Sequence, residues 1–288
     1  MFGKSILIVV SILALVTVAC GVSFNLPITD IKTGPTVTED IYVPLLDSAS
    51  DVAELTLNFG AGELNLEPGA EDALVSGTAS YNIEDFKPEI TTDDNLVNIS
   101  TGDLEIKGIP NFGDDYRNTW DFALGDSPMD LRINAGAYQG RFELGGLALR
   151  SLRVADGAAD VKVSFSEPNK VQMDTLRYDT GASSVKLSSL ANANFDRLTF
   201  KGGAGEYTLD FSGELQRDAT VVIDSGLSSM TLIVPKGVSA RVIVDRGLAN
   251  IDVSGDWEKM GNEYVQSGEG PRITINVNIG AGNVELRN

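Results

Sequence analysis

Several places in this 288-residue chain bring together residue types that could do chemistry. Gly202-Gly203-Ala204-Gly205-Glu206-Tyr207-Thr208-Leu209-Asp210 approximates a nine-residue calcium-binding repeat. Asp156 and Asp160 in DGAAD, and Asp93 beside Asp94, offer carboxylates at short spacing, the oxygen ligands that calcium prefers. Tyr116, Trp120 and Phe122 could stack on a sugar ring, and GAG at 60–62, 203–205 and 280–282 is glycine-rich text of the kind that cradles phosphates. Each has a plainer reading. The calcium nonapeptide works only when nine-residue turns stack, and here it occurs once, with Glu206 where aspartate is wanted. In a chain with 41 acids, paired aspartates are by default solvated turn residues. Trp120 and Phe122, two apart, read as one face of a strand, and Trp257 in GDWEKMGNEY reads as closing the turn before the last strand. No helix follows any GAG to present its N-terminus to a phosphate. We therefore assign no catalytic residue, no metal ligand and no cofactor.

Composition narrows the field further. The chain has no histidine, which removes imidazole-based catalysis and the commonest zinc sites. A net charge of −19 argues against nucleic acid as a partner. The single cysteine, Cys20, allows no intrachain disulfide.

Cys20 has a different setting. Lys4 precedes an apolar run from Ile6 to Ala19, and small Ala19 stands just before the cysteine. The segment resembles a bacterial lipoprotein signal with Thr17-Val18-Ala19-Cys20 as its lipobox, although Thr17 departs from the family's usual leucine. The resemblance implies a signal peptide over 1–19, cleavage before Cys20, and lipidation of Cys20 as the attachment to the membrane. An uncleaved anchor running on through Phe24, or plain secretion, are the alternatives. All three place the body of the chain outside the cytoplasm. From 20 to 45 the text is polar and broken by Pro27, Gly34, Pro35 and Pro44, and is read as a flexible tether.

The elements that must position any site come from an internal repeat. Anchored on glycine, similar text recurs at Gly60, Gly136, Gly157, Gly181, Gly203, Gly226, Gly247 and Gly280. From Gly136 to Gly247 the spacings are 21, 24, 22, 23 and 21 residues. Positions five and three before the glycine, and one, four and six after it, are apolar in nearly every unit. The one directly after is Ala or Leu throughout, and Gly140, four after Gly136, is the exception. Apolar residues two apart mean strands with one buried face. Each unit then reads as strand, corner, strand. The corner glycine serves either a positive φ or a close approach of neighbouring backbones. Alternating strands at a period near 22, with no helical text between, predict an all-β chain. It is a β-solenoid, a β-helix-like stack of two-strand repeats over 131–288, stacked in sequence order. The 76 residues between Gly60 and Gly136 differ. They predict strands at 74–81, 89–92 and 96–101, so 46–130 reads as a β-rich N-terminal domain that embeds one repeat-like hairpin and caps the open end of the stack.

The run ELTLNFGAGELNLEPGAEDALVSGTASYN, with DFKPEITTDDNLVNIS and TWDFALGDSPMDLRINAGA, resembles the N-terminal domain of bacterial toast-rack proteins. GAADVKVSFSEPNK and TGASSVKLSSLANANFDRLTFKGGAGEYTLDFSG continue the likeness. The text from IDSGLSSMTLIVPKGVSARVIVDRGLANIDVSGDW through INVNIGAGNVEL is similar to C-terminal domains of membrane regulators in cell-wall-antibiotic responses, and to adhesin-like β-repeat domains. The resemblance implies an envelope-facing β-solenoid without enzymatic function. The first expectation is a lipid-anchored envelope protein that presents an acidic solenoid for interaction or sensing, with an envelope protein or polysaccharide as partner. A self-associating structural or adhesive module is the alternative, and a carbohydrate-active β-helix enzyme a third. The enzyme would require three or more carboxylates in one cleft.

Overall fold

The computed structural model describes residues 28–46, 52–102, 109–111 and 115–288. Cys20 and the signal segment lie outside them. The chain is all-β. The strands are β1 (Ile28–Asp30), β2 (Val37–Pro44), β3 (Ala53–Pro68), β4 (Ala73–Tyr81), β5 (Pro88–Asp93), β6 (Leu96–Thr101), β7 (Ile109–Asn111), β8 (Asn118–Leu124), β9 (Met129–Glu143), β10 (Leu149–Ser164), β11 (Met173–Ser188), β12 (Phe195–Asp210), β13 (Ala219–Ile233), β14 (Val238–Val253), β15 (Glu258–Met260), β16 (Glu263–Gln266) and β17 (Glu269–Arg287). Fifteen of them form one open sheet, and β1 pairs with β7 apart from it. The eight glycine units are the long strands β3, β9 to β14 and β17, which lie parallel and in register as the rungs of a β-solenoid-like stack. Their apolar columns face one continuous core. The column five before the glycine, from Leu55 to Ile275, is buried on every rung. The column directly after the glycine is the exception and does not face the core: Ala137, Ala158, Leu227 and Leu248 are exposed, because the bend turns that position outward. The other four columns fail only on β14, where Ile251 is half-buried and Val253 is exposed.

Each unit is one strand bent at its glycine, not two strands joined by a turn. The column glycines do not adopt positive φ; that conformation falls two residues later, at Gly62 (φ 130°) and Gly282 (φ 125°), the second glycines of their GAG triplets. The column glycines answer instead to close approach. A Cβ on Gly181 would lie 2.4 Å from the carbonyl oxygen of Gly157 on the neighbouring rung. Gly136, Gly157, Gly203, Gly226, Gly280 and Gly247 would meet the glycine carbonyl of the adjacent rung at 2.4–3.1 Å. Carbon and carbonyl oxygen touch at about 3.3 Å, so none of these positions has room for a side chain. Gly60 ends the ladder, and its nearest neighbour is a side-chain oxygen, Thr101 Oγ1, at 3.4 Å.

Gly60 differs because the stack divides beyond β3. The first half of β3 pairs with β6, which pairs with β5; its second half pairs with β8, which continues to β4 and β2. The expected strands at 74–81, 89–92 and 96–101 are β4, β5 and β6. Asp94 turns the β5–β6 hairpin in the left-handed region (φ 50°), a conformation aspartate tolerates. Within the stretch read as a tether, β2 is a strand, antiparallel to β4. It buries Ile41 and Val43 and ends at Pro44, where an edge strand can accept proline.

At the other end the rungs depart from sequence order. The spatial order is β12, β13, β17, β14, so the last strand is inserted between two earlier ones. Charge does not decide this order, because the insertion separates one pair of carboxylates and sets another, Asp252 of β14 and Glu285 of β17, in register. Asp224 on β13 and Asp245 on β14 occupy the same column, and both are in register with Asn278 of β17. Direct β13–β14 pairing would set two carboxylates opposite each other, which is unfavourable. Asn278 stands between them and its Nδ2 lies 3.4 Å from Asp224 Oδ1. The hairpin β15–β16 then pairs with β14 over Ala240–Ile243.

Close approach, rather than φ, makes a specific demand of the glycine ladder. Gly181→Ala is expected to cost about 1–3 kcal/mol, and Gly181→Asn at least as much, because asparagine's tolerance of positive φ is of no use there. Gly60→Ala is expected to cost about 0.5 kcal/mol or less. Urea denaturation of the three variants checks this. Asparagine proving benign at 181 would restore the positive-φ explanation.

Candidate functional site

The residues flanking the glycine decide what lies inside the bend. One before and two after it, side chains turn inward from both arms of the rung. On β9 to β13 six of these ten positions are polar, Tyr138, Asp156, Thr180, Ser183, Ser225 and Ser228, and the other four are Ala135, Ala159, Gly202 and Gly205. Asp156 is their centre. Its carboxylate accepts hydrogen bonds from Tyr178 Oη (2.7 Å) and Thr180 Oγ1, with Tyr138 Oη at 3.4 Å and Ser183 Oγ at 3.5 Å. Thr180 Oγ1 is also bonded to Ser183 Oγ (2.6 Å), which accepts from the Ala159 amide (3.0 Å). One rung pair further on, Ser225 and Ser228 bond each other at 2.7 Å. The carboxylate thereby ties β9, β10 and β11 together at their bends.

Burial pushes the Asp156 carboxyl above its ordinary value, against the pull of the hydroxyl donors, which favour the ionised form. Tyr138 and Tyr178 are also pushed well up, by burial first and in part by the charge of Asp156. Tyr207, on β12, is raised to about 12 by burial and then by the same charge, and its hydroxyl is buried without a hydrogen-bond partner. These shifts run opposite to what a phenolic nucleophile or base needs at neutral pH. The arrangement stores a carboxylate among protonated donors and works as a polar clamp between rungs.

The sequence candidates fall elsewhere. Asp156 and Asp160 do not share a site: the bend turns Asp156 inward and leaves Asp160 exposed. Asp93 and Asp94 sit exposed at the β5–β6 hairpin. In the nonapeptide-like stretch Glu206 is exposed, while Asp210 accepts from the Ser212 amide (2.9 Å). Among the described residues no three acidic side chains are grouped where they could hold a metal ion. The aromatic trio is divided. Trp120 is fully buried, stacked on Phe122 (5.1 Å between centroids) and edge-on to Phe59 (5.0 Å), whereas Tyr116 packs edge-on against Phe86 (5.7 Å). Trp257 is half-buried against the core. Sequence reasoning did not find the clamp at Asp156. Its signal was present, an acid in the inward column beside the glycine with tyrosines at neighbouring inward positions.

A shallow groove on the outer face runs across the first arms of β3, β9 and β10 beside the β5–β6 hairpin. Glu54, Asp93 and Asp130 line it beside Arg132 and Arg153, the three carboxylates in one cleft that the enzyme reading requires, but among the described residues no three acids stand close enough to share a metal ion.

Comparison with known proteins places this geometry. The family model described as the N-terminal domain of toast_rack matches residues 32–188 and 168–233. Among curated proteins none has a matching sequence. A crystal structure from Clostridium sporogenes, described as a "putative cell adhesion protein", is 20% identical; the alignment covers 88% of this chain and 99% of that one, with a TM-score of 0.53. That likeness is one of fold. A Bacteroides fragilis structure described as a "putative adhesin" aligns at 10% identity over 90% of this chain and 99% of its own, with a TM-score of 0.41. A Parabacteroides distasonis structure described as a "putative lipid binding protein" aligns at 11% identity over the same shares, with a TM-score of 0.43.

The clamp has a pH signature. The folded state holds the Asp156 proton more tightly than the ordinary carboxyl of 3.8, so wild-type stability falls as pH rises from there through the raised value, and levels off above it. Asp156→Asn keeps a hydrogen-bonding group but cannot ionise. Its melting temperature relative to wild type is expected to rise across that window. Asp156→Ala leaves the buried Tyr178 hydroxyl without its acceptor and is expected to cost about 1–3 kcal/mol. Parallel melting curves for wild type and Asp156→Asn at every pH would remove the titrating carboxylate from the account.

Proposed function

Since the chain belongs to the family of the N-terminal domain of toast_rack, we propose that it is a non-enzymatic envelope protein. In this reading Cys20 carries the lipid that holds it to the outer side of the cell membrane, and the stack is presented for contact or sensing. The observation that carries the reading is the direction of the polar chemistry. Asp156 and its hydroxyl donors turn inward to bind rung to rung, while most outward columns, apart from the Ala and Leu directly after the glycine, are rows of charged and polar side chains repeated at strand spacing. Such a surface suits contact with an extended partner. The adhesion named for the Clostridium sporogenes protein is in keeping with this use of the fold. The glycine column is, on this view, structural, and no metal or cofactor is part of the function.

One observation favours a second reading, self-association through a sheet edge. Among the described residues no strand pairs with the outer edge of β14 beyond Ile243, and Leu248 on it is 89% exposed. Exposed strand edges are templates for pairing with another chain. Sedimentation of wild type and Leu248→Lys separates the two: a dimer lost in the variant would favour self-association.

The anchoring reading is tested by metabolic labelling with a fatty acid. Wild type is expected to take up label and fractionate with membranes, and Cys20→Ala to lose the label and appear in the medium. A variant that stays in the membrane beside an unlabelled wild type would replace the lipid with an uncleaved span.

A further inference from the structure

The second arms of the rungs carry a column of charge that the preceding reading does not use. Five residues after the glycine, Arg141 on β9 is in register with Lys162 on β10, and Lys162 with Lys186 on β11. All three are exposed. Adjacent strands are about 4.8 Å apart, so three cations stand in a line about 10 Å long across the strands. Like charges directly opposite on neighbouring strands are destabilising, and the net charge of −19 supplies acids in excess to relieve them. Among the described residues none of the three has an acidic partner within ion-pair distance.

Two other columns show how the chain treats such rows elsewhere. Two before the glycine, signs alternate from rung to rung: Asp179, Lys201, Asp224. Four before it, Arg132, Arg153 and Arg177 also stack, but each has acids at hand. Asp179 grips Arg177 through both guanidinium nitrogens, and Arg132 and Arg153 share the groove with Glu54, Asp93 and Asp130. Beside the second-arm row the acids are Asp160 and Glu143, with Glu63 on β3 and Glu206 on β12 one rung outside it, in register with Gln139 and Ser184. Glu143 is turned to the Gly145 amide (2.8 Å), the Ser166 amide (2.9 Å) and the hydroxyls of Ser164 and Ser166. The row ends in neutral residues, Asn65 on β3 and Thr208 on β12.

We propose that Arg141, Lys162 and Lys186 form a binding site for a linear polyanion, a chain bearing phosphate or carboxylate groups that lies across the strands. Its shape selects the partner class. An anionic membrane or a nucleic-acid duplex presents its charge over a broad surface and would meet the acids of the whole molecule, which a net charge of −19 opposes. A single thread meets only the row. The inference deepens the surface-contact reading and rests on it for its setting, but its test does not depend on the lipid.

The full-length protein, held in neutral phosphatidylcholine vesicles, is titrated with polygalacturonate as the carboxylate probe and inorganic polyphosphate as the phosphate probe. Binding of either at low salt is expected, weakening as salt rises. The triple variant Arg141→Gln, Lys162→Gln, Lys186→Gln should bind about 10-fold more weakly or worse, with a shallower salt dependence. It should melt no lower than wild type, because a like-charge row is removed. Lys201→Gln, outside the row, should bind as wild type does. Three results overturn the proposal: no binding of either polymer, equal binding by the triple variant, or binding that appears only when phosphatidylglycerol is added to the vesicles. Vesicle uptake that survives in Cys20→Ala would instead fail the anchoring reading and leave the polymer titration standing.

Discussion

The fold depends on how closely two bent strands can nest. Each rung turns at one residue, and the turn of the next rung must sit in its hollow at backbone distance. The carbonyl oxygen of one glycine occupies the space where its neighbour's Cβ would be, 2.4 Å away in the case of Gly181 over Gly157. Once that nesting is met, in-register pairing follows on both arms, the apolar columns fall on top of one another, and the core becomes one continuous body. Where the nesting ends, at Gly60, the sheet divides and the two arms of β3 take separate partners. At β14, the outermost of the bent rungs, the apolar columns open to solvent.

In-register stacking also magnifies whatever sits beside the bend. A residue type that would be incidental in a single strand becomes, repeated on three rungs, a line of like groups. Inside, this gathers Tyr138, Asp156, Tyr178 and Thr180 into a clamp that spans three strands. Outside, it gathers cations into a row within an acidic molecule. Both follow from the same geometry: a stacked column has no freedom to move a residue away from its counterparts.

Much of this was legible in the residues. The glycine spacing and the period-two apolar columns identified the rungs, their facing and the all-β class, because register is set locally by alternation. The β5–β6 hairpin was legible from Asp93-Asp94-Asn95. What escaped was set by contacts between distant segments. The role of the column glycines turns on a carbonyl of another rung, which no single unit reveals. The place of β17 turns on its pairing with β13 on one side and β14 on the other, which involves residues of three separate units. β2 escaped because its buried residues are only Ile41 and Val43, with Val37 and Tyr42 exposed and threonine, acids and proline around them. Asp156 was read as a solvated turn acid because a bend inside a strand looks, in text, like a turn outside one.

The insertion of β17 also fixes when the molecule can be finished. A chain delivered from its N-terminus, by a ribosome or through a translocation pore, can add β10 to β13 to the stack as each emerges. It cannot add β14 in the same way, because the native neighbour of β14 on the inner side is the final nineteen-residue strand, Glu269–Arg287. Until that strand arrives, β14 has only its four-residue pairing with β16, and the edge of β13 stands open. The stack is therefore closed from within rather than at its tip, and β17, delivered after β14, is the strand that joins its two parts.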